Sequence, residues 1–137
     1  MAGYSKKSLV DKLGIKAGAK IAILNAPANY DVTLGPLPDG VERSESIQAG
    51  ADLDFIQFFT TSRAEFLAQF DTLKAAIKQN GMVWVSWPKK AAKLPTDLDE
   101  NSIRDIALEN GLVDVKVAAI DEVWSGLKLV YRVKDRK

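Results

Sequence analysis

The sequence predicts a single three-layer α/β domain, with a mixed, mostly parallel sheet of about six strands and helices on both faces. Three observations carry that expectation. The 137 residues are 47% hydrophobic and 27% charged, which suits one core and a polar coat at roughly 150 residues per domain. The middle of the chain alternates strand, helix, strand, helix, strand, the order that yields right-handed parallel crossovers. The last two strand-like runs are joined by too few residues for a crossover, so the final strand returns antiparallel.

Each element follows from local pattern. Ser5 to Leu13 places Leu9, Val10 and Leu13 on one face, begins at a Ser5 cap or at the Ser8-x-x-Asp11 spacing, and stops at Gly14, giving a short docking helix. Lys20 to Asn25 is a buried strand ended by Pro27, and Ala26 to Gly40, with three Pro and two Gly, is a long loop holding one helical turn around Asp31 to Leu34. Val41 to Ile47 reads as a charged edge strand. The gap before the strand Leu53 to Phe59 is shorter than the dozen or more residues of a parallel crossover, which predicts that Val41 to Ile47 runs antiparallel.

Ser62 and Glu65 form a capping box for a helix whose apolar face is Phe66, Leu67, Phe70, Leu73 and Ile77, with Asn80-Gly81 as its stop. Met82 to Trp87 is a strand ended by Pro88, followed by a lysine loop from Lys89 to Lys93. The second amphipathic helix is capped by Asp99, stapled by Leu98 and Ile103, and ended by Gly111. Val113 to Ile120 and Leu127 to Val133 are the last strands, the latter placed by analogy between its two predecessors, and Lys134 to Lys137 is a frayed tail.

Composition excludes a good deal. Lys plus Arg is 19 and Asp plus Glu is 18, a net charge of +1, which argues against attraction to nucleic acid or membrane through the overall field. The chain has no His and no Cys, and so no zinc finger, Cys-ligated cluster, disulfide, Ser-His-Asp triad or Cys-His pair. No metal site is expected. No apolar stretch approaches the roughly 20 residues of a membrane span, and the N-terminus lacks a signal-peptide pattern, so a cytoplasmic location is the default.

Open α/β sheets bind ligands at the carboxyl ends of their parallel strands. Here that edge carries Asn25 to Tyr30, Thr60 to Arg63, Trp87 to Lys90 and Asp121 to Ser125. The turn after the first strand, N-A-P-A-N-Y-D, has no glycine where a dinucleotide or S-adenosylmethionine fold places its glycine-rich turn, so no particular cofactor is assigned. Thr61 and Arg63 sit at a helix start that favours an anion, although Ser62 also reads as only a cap and Arg63 as a solvated surface residue. Lys89 and Lys90, with no acid close in sequence, suit a phosphate or carboxylate, or form an ordinary solvated loop. Trp87, Trp124 and Ser125 either line a pocket or plug the sheet's end, and Trp84 is assigned to the core. Tyr30, Asp121 and Glu122 are the remaining acid-base groups, and no residue is assigned as catalytic.

The stretches K-L-G-I-K (Lys12 to Lys16), N-A-P (Asn25 to Pro27), L-G-P-L-P (Leu34 to Pro38), W-P-K-K (Trp87 to Lys90), T-D-L (Thr96 to Leu98) and W-S-G-L (Trp124 to Leu127) together resemble a family of small bacterial proteins known only as a domain of unknown function. That resemblance implies a bacterial cytoplasmic protein and brings no activity. More loosely, L-D-F-I-Q-F-F and G-M-V-W-V-S-W resemble two central strands of S-adenosylmethionine-dependent methyltransferases, which implies a Rossmann-like, methyltransferase-like sheet. Three functions follow as expectations. The first is a domain binding a small anionic ligand, a nucleotide or phosphorylated metabolite, through Asn25, Thr61, Arg63, Trp87, Lys89, Lys90, Trp124 and Ser125. The second is a non-catalytic module meeting an acidic protein partner or itself, and the third a degenerate methyltransferase-like enzyme.

Overall fold

The computed structural model describes residues 8–136. The elements are α1 (Leu9–Leu13), β1 (Lys20–Leu24), α2 (Tyr30–Leu34), β2 (Glu42–Ser44), β3 (Leu53–Phe59), α3 (Arg63–Ala76), β4 (Ile77–Pro88), α4 (Glu100–Glu109), β5 (Leu112–Ala119) and β6 (Trp124–Tyr131). The six strands form one sheet in the order β2-β1-β3-β4-β6-β5. β2, β1, β3 and β4 are mutually parallel, and β6 lies antiparallel between β4 and β5. The fold is therefore the predicted single α/β domain with a mixed, mostly parallel sheet, and the last strand occupies the inserted position.

Two apolar clusters fill the two sides of this sheet. On one, α3 and α4 set Phe66, Phe70, Leu73, Ile103 and Ile106 against Ile56, Val83, Val85 and Leu129. On the other, α1 and α2 set Val10, Leu13, Tyr30 and Leu34 against Ile21, Phe55, Phe59 and Trp84. Trp84 is fully buried, and its indole Nε1 donates to the Leu13 carbonyl at 2.9 Å. That bond satisfies the polar end of an otherwise apolar side chain and pins the end of α1 to the sheet.

The caps match the sequence pattern with one change. Ser8 Oγ accepts from Asp11 N, and the alternative cap Ser5 lies outside the described residues. Asp99 and Ser102 form a reciprocal capping box at α4. At α3, Ser62 Oγ accepts from Glu65 N, but the Glu65 carboxylate takes the Thr60 hydroxyl instead of Ser62 N, which donates to Thr60 Oγ.

Two expectations are corrected. The segment read as an antiparallel strand, Val41 to Ile47, contributes only Glu42–Ser44, and these pair parallel to β1. The dozen-residue rule assumes a helical crossover, whereas residues 45–52 cross β1 with no helix, through a bend at Glu45 and a turn closed by Ala51 N donating to Gln48 O at 3.2 Å. Eight residues could span about 26 Å at most if fully extended, so the segment returns past a three-residue strand even with a turn in its path. Ile47 and Ala51 pack on the α3 side, and Gly50 N donates to Ala75 O at 3.0 Å. The second correction concerns the end of α3. It stops at Ala76, and Ile77 opens β4 by pairing with Leu53. The stretch through Asn80-Gly81 is thus sheet, and Gly81 is required there because a Cβ would stand 2.9 Å from Leu53 O.

Candidate functional site

The sheet reverses direction of growth at β1, with β2 on one side and β3 on the other, so the crevice between the loops leaving β1 and β3 is the topological switch point. The chain leaves β1 through Asn25, whose backbone is left-handed at φ 60°. Asparagine tolerates this region better than other side-chain-bearing residues, so it makes the sharp turn that glycine makes elsewhere. Its Nδ2 donates to Phe59 O at 3.2 Å, tying the ends of β1 and β3. Behind the turn, Tyr30 donates its hydroxyl to Gln57 Oε1 at 2.5 Å, and Gln57 Nε2 donates to Ser86 Oγ at 3.2 Å. All three are buried, and burial pushes the Tyr30 hydroxyl far above the usual tyrosine range.

Two adjoining hollows, of about 390 and 250 Å³, meet at Asn25 and Glu45. Arg43 crosses the larger one, pairing through Nη1 with Asp31 at 2.8 Å and through Nη2 with Glu45 at 3.8 Å. Its Nε is buried with no hydrogen-bond partner. Glu65 lines the smaller hollow. The crevice thus presents three carboxylates against one guanidinium, a field that favours a cationic or zwitterionic ligand over an anion.

A separate cleft of about 790 Å³ opens beyond β4. Trp87, Lys89, Lys90 and Ser125 line it together with Asp97, Asp99 and Glu100. The lysine loop, acid-free in local sequence, is therefore faced by three carboxylates brought in by the segment leading into α4. Each of these is already engaged. Asp97 Oδ1 accepts from Arg63 N at 2.7 Å, Asp99 caps α4, and Glu100 pairs with Arg104. Asp97 answers the helix start that Arg63 opposes.

The eight residues singled out from sequence do not enclose one site. Asn25 belongs to the switch-point crevice, while Trp87, Lys89, Lys90 and Ser125 share the cleft beyond β4. Thr61 serves this cleft through its backbone, its carbonyl accepting from Thr96 Oγ1 at 2.8 Å and from Asp97 N at 3.4 Å, and the Arg63 side chain is exposed. Trp124 lies apart, edge-on to Phe59 at 5.1 Å on the α2 side, where it plugs the sheet's end. Trp87 does both jobs proposed for it, packing in the α3/α4 cluster and walling the cleft. Asp121 is a turn cap, its Oδ1 accepting from Val123 N and Trp124 N at 2.8 Å each. Sequence reasoning missed Asp31, Arg43, Glu45 and Glu65. One signal was available: Glu45 follows Asn25 at the roughly 20-residue spacing of the ribose-binding acid in dinucleotide folds.

Among the described residues no cluster of three or more acidic side chains is placed to hold a metal ion, and no helix is long and apolar enough to cross a membrane.

No protein-family model matches the chain, and no curated protein does. Solved structures do. DhpI in complex with SAH superposes with a TM-score of 0.64 at 10% identity, covering 92% of this chain and 83% of that one. A SAM-dependent methyltransferase from Aquifex aeolicus gives 0.58 at 15% identity, with 88% and 86% covered. Magnesium protoporphyrin IX methyltransferase (ChlM) from Synechocystis PCC 6803, with bound SAM, gives 0.55 at 13% identity, with 90% and 74% covered. The chain therefore has the Rossmann-like fold of these methyltransferases.

Proposed function

We propose that this chain is a methyltransferase-fold domain whose switch-point crevice binds a nucleoside sulfonium ligand of the S-adenosylmethionine class. The observation that carries this reading is the acidic crevice around the unpartnered Arg43 Nε. A buried donor with no acceptor is costly, and a ligand oxygen or ring nitrogen would satisfy it. Glu45 suits ribose hydroxyls, and the excess carboxylate suits a sulfonium. Asn25 supplies the backbone turn, so the missing glycine does not disqualify the site. The ligand, when bound, would supply an electrophilic methyl group.

The wider cleft of Trp87, Lys89, Lys90 and Ser125 is assigned to a second ligand bearing a carboxylate or phosphate, the methyl acceptor. Its nearby carboxylates are engaged by α4, Arg63 N and Arg104, while Lys89 and Lys90 enter no ion pair among the described residues. This retains an anion-binding role for the lysine loop and moves the nucleoside to the crevice.

Isothermal titration calorimetry with S-adenosylmethionine tests the assignment. Binding is expected in the wild-type chain, and Glu45→Ala is expected to raise Kd about tenfold or more, equivalent to at least about 1.4 kcal/mol, without changing the thermal midpoint. No heat at millimolar ligand, or equal affinity in Glu45→Ala, removes the proposal.

A further inference from the structure

A third feature lies away from both clefts, on the α1 side of the sheet. β5 is interrupted by a bulge between Asp114 and Lys116, whose partners on β6 are the consecutive residues Leu129 and Lys128. In an uninterrupted strand, positions 114 and 116 share a face. Here they separate. Asp114 pairs with Arg104 of α4 at 2.9 Å, whereas Lys116 Nζ donates to the Lys12 carbonyl of α1 at 3.4 Å on the opposite face. A bulge is the device by which a strand re-aims a side chain.

The re-aimed lysine joins two others. Lys116 stands directly across from Lys128, and Lys12 Nζ donates to Ala119 O at 3.2 Å. Like charges facing each other across strands destabilise a sheet. Lys128 is half-buried, and its burial, then the charge of Lys116, pull its ammonium below the usual lysine range. None of the three enters an ion pair among the described residues. The residues outside that span contain no Asp or Glu.

We infer that the surface where α1 meets the β5-β6 pair is a phosphoryl-anion site, in which Lys12, Lys116 and Lys128 together hold a compact, multiply charged group such as a phosphate monoester or pyrophosphate. Lysines bind phosphate as point charges, and cross-strand neighbours about 5 Å apart at Cβ can converge on one multi-oxygen anion. The net charge of +1 argues against an extended polyanion such as RNA. The site is independent of the crevice and of its proposed ligand.

The test uses the full chain with inorganic pyrophosphate, against sodium chloride at matched ionic strength. Pyrophosphate is expected to raise the melting temperature beyond the chloride control and to shift the backbone amide NMR signals of Lys12, Lys116 and Lys128. Lys116→Gln and Lys128→Gln are each expected to raise Kd at least tenfold. Without anion, Lys116→Gln is expected to melt at or above the wild-type temperature, because the like-charge contact is relieved. The inference is overturned by no response beyond chloride, by shifts confined to Lys89 and Lys90, or by a single-stranded oligonucleotide binding where pyrophosphate does not. It is equally overturned if Lys116→Gln melts lower while retaining wild-type affinity, the behaviour of a purely structural lysine.

Discussion

Tyr30 closes the turn that carries Asn25, and its hydroxyl contributes in a way that can be isolated. Substitution Tyr30→Phe keeps the ring, its edge-on contact with Phe59 at 4.7 Å, and nearly all the buried apolar area. What it removes is the donor to Gln57 Oε1. That amide oxygen sits in a fully buried side chain with no access to water. An unsatisfied buried acceptor costs about 1–3 kcal/mol. For a chain of 137 residues, an unfolding entropy of about 2.1 cal/mol/K per residue converts this to a fall in melting temperature of about 3–10 °C. Urea unfolding measures the free energy directly, with an unchanged m-value showing that the denatured state is not altered. Combining the substitution with Gln57→Leu in a double-mutant cycle is expected to give a coupling of about 1 kcal/mol. A loss below about 0.5 kcal/mol, or strict additivity, would refute the claim that the hydroxyl is committed to Gln57.

Two further outcomes follow from the same face of the sheet. Because burial raises the Tyr30 hydroxyl above its usual value of 10.0, the unfolded chain releases this proton at lower pH than the folded one. Its contribution is therefore complete below about pH 10 and is lost as pH rises further, by up to about 1.4 kcal/mol per unit. Tyr131, raised by burial in the same direction, adds to the slope. Urea midpoints between about pH 9 and 11.5 should fall less steeply in Tyr30→Phe than in the wild type, and identical slopes would contradict the assignment. Gly126→Ala places a Cβ 3.0 Å from both Trp84 Cε3 and Ile120 Cδ1. The isoleucine end can move, but the indole is held by Leu13 O, so a loss of about 1–3 kcal/mol is expected in thermal or urea unfolding.

How far the site was legible depends on the range of the forces that build each part. Caps are local: Ser8, Ser62 and Asp99 each cap the helix the pattern assigns them, although Glu65 bonds Thr60 and leaves the box at α3 half formed. Trp84 lies in an apolar strand, which marks it for the core, and it is fully buried. The edge of the sheet that carries the clefts was likewise readable, since strand ends follow from the order of elements. What failed was longer in range. Reading Val41 to Ile47 as antiparallel hid Glu45, because only a parallel β2 sends its exit toward the same edge as Asn25. The lysine loop looks unbalanced in the sequence because Asp97 faces it only once its carboxylate accepts from Arg63 N and its own N donates to Thr61 O, at the start of α3.

The sequence by itself determined the class of fold, through periodicity, turn residues and connection lengths that act within about a dozen residues. It also determined which chemistries are excluded, since the absence of His and Cys holds in any conformation. Only the tertiary structure decided which charges meet. Arg43 lies between Asp31 and Glu45, and Lys116 is turned away from Asp114 toward Lys12 and Lys128. The physical reason is that electrostatic and hydrogen-bond energies depend on separations of a few ångströms. Those separations are fixed by strand register, a single bulge and the path of one short crossover, none of which a local pattern encodes.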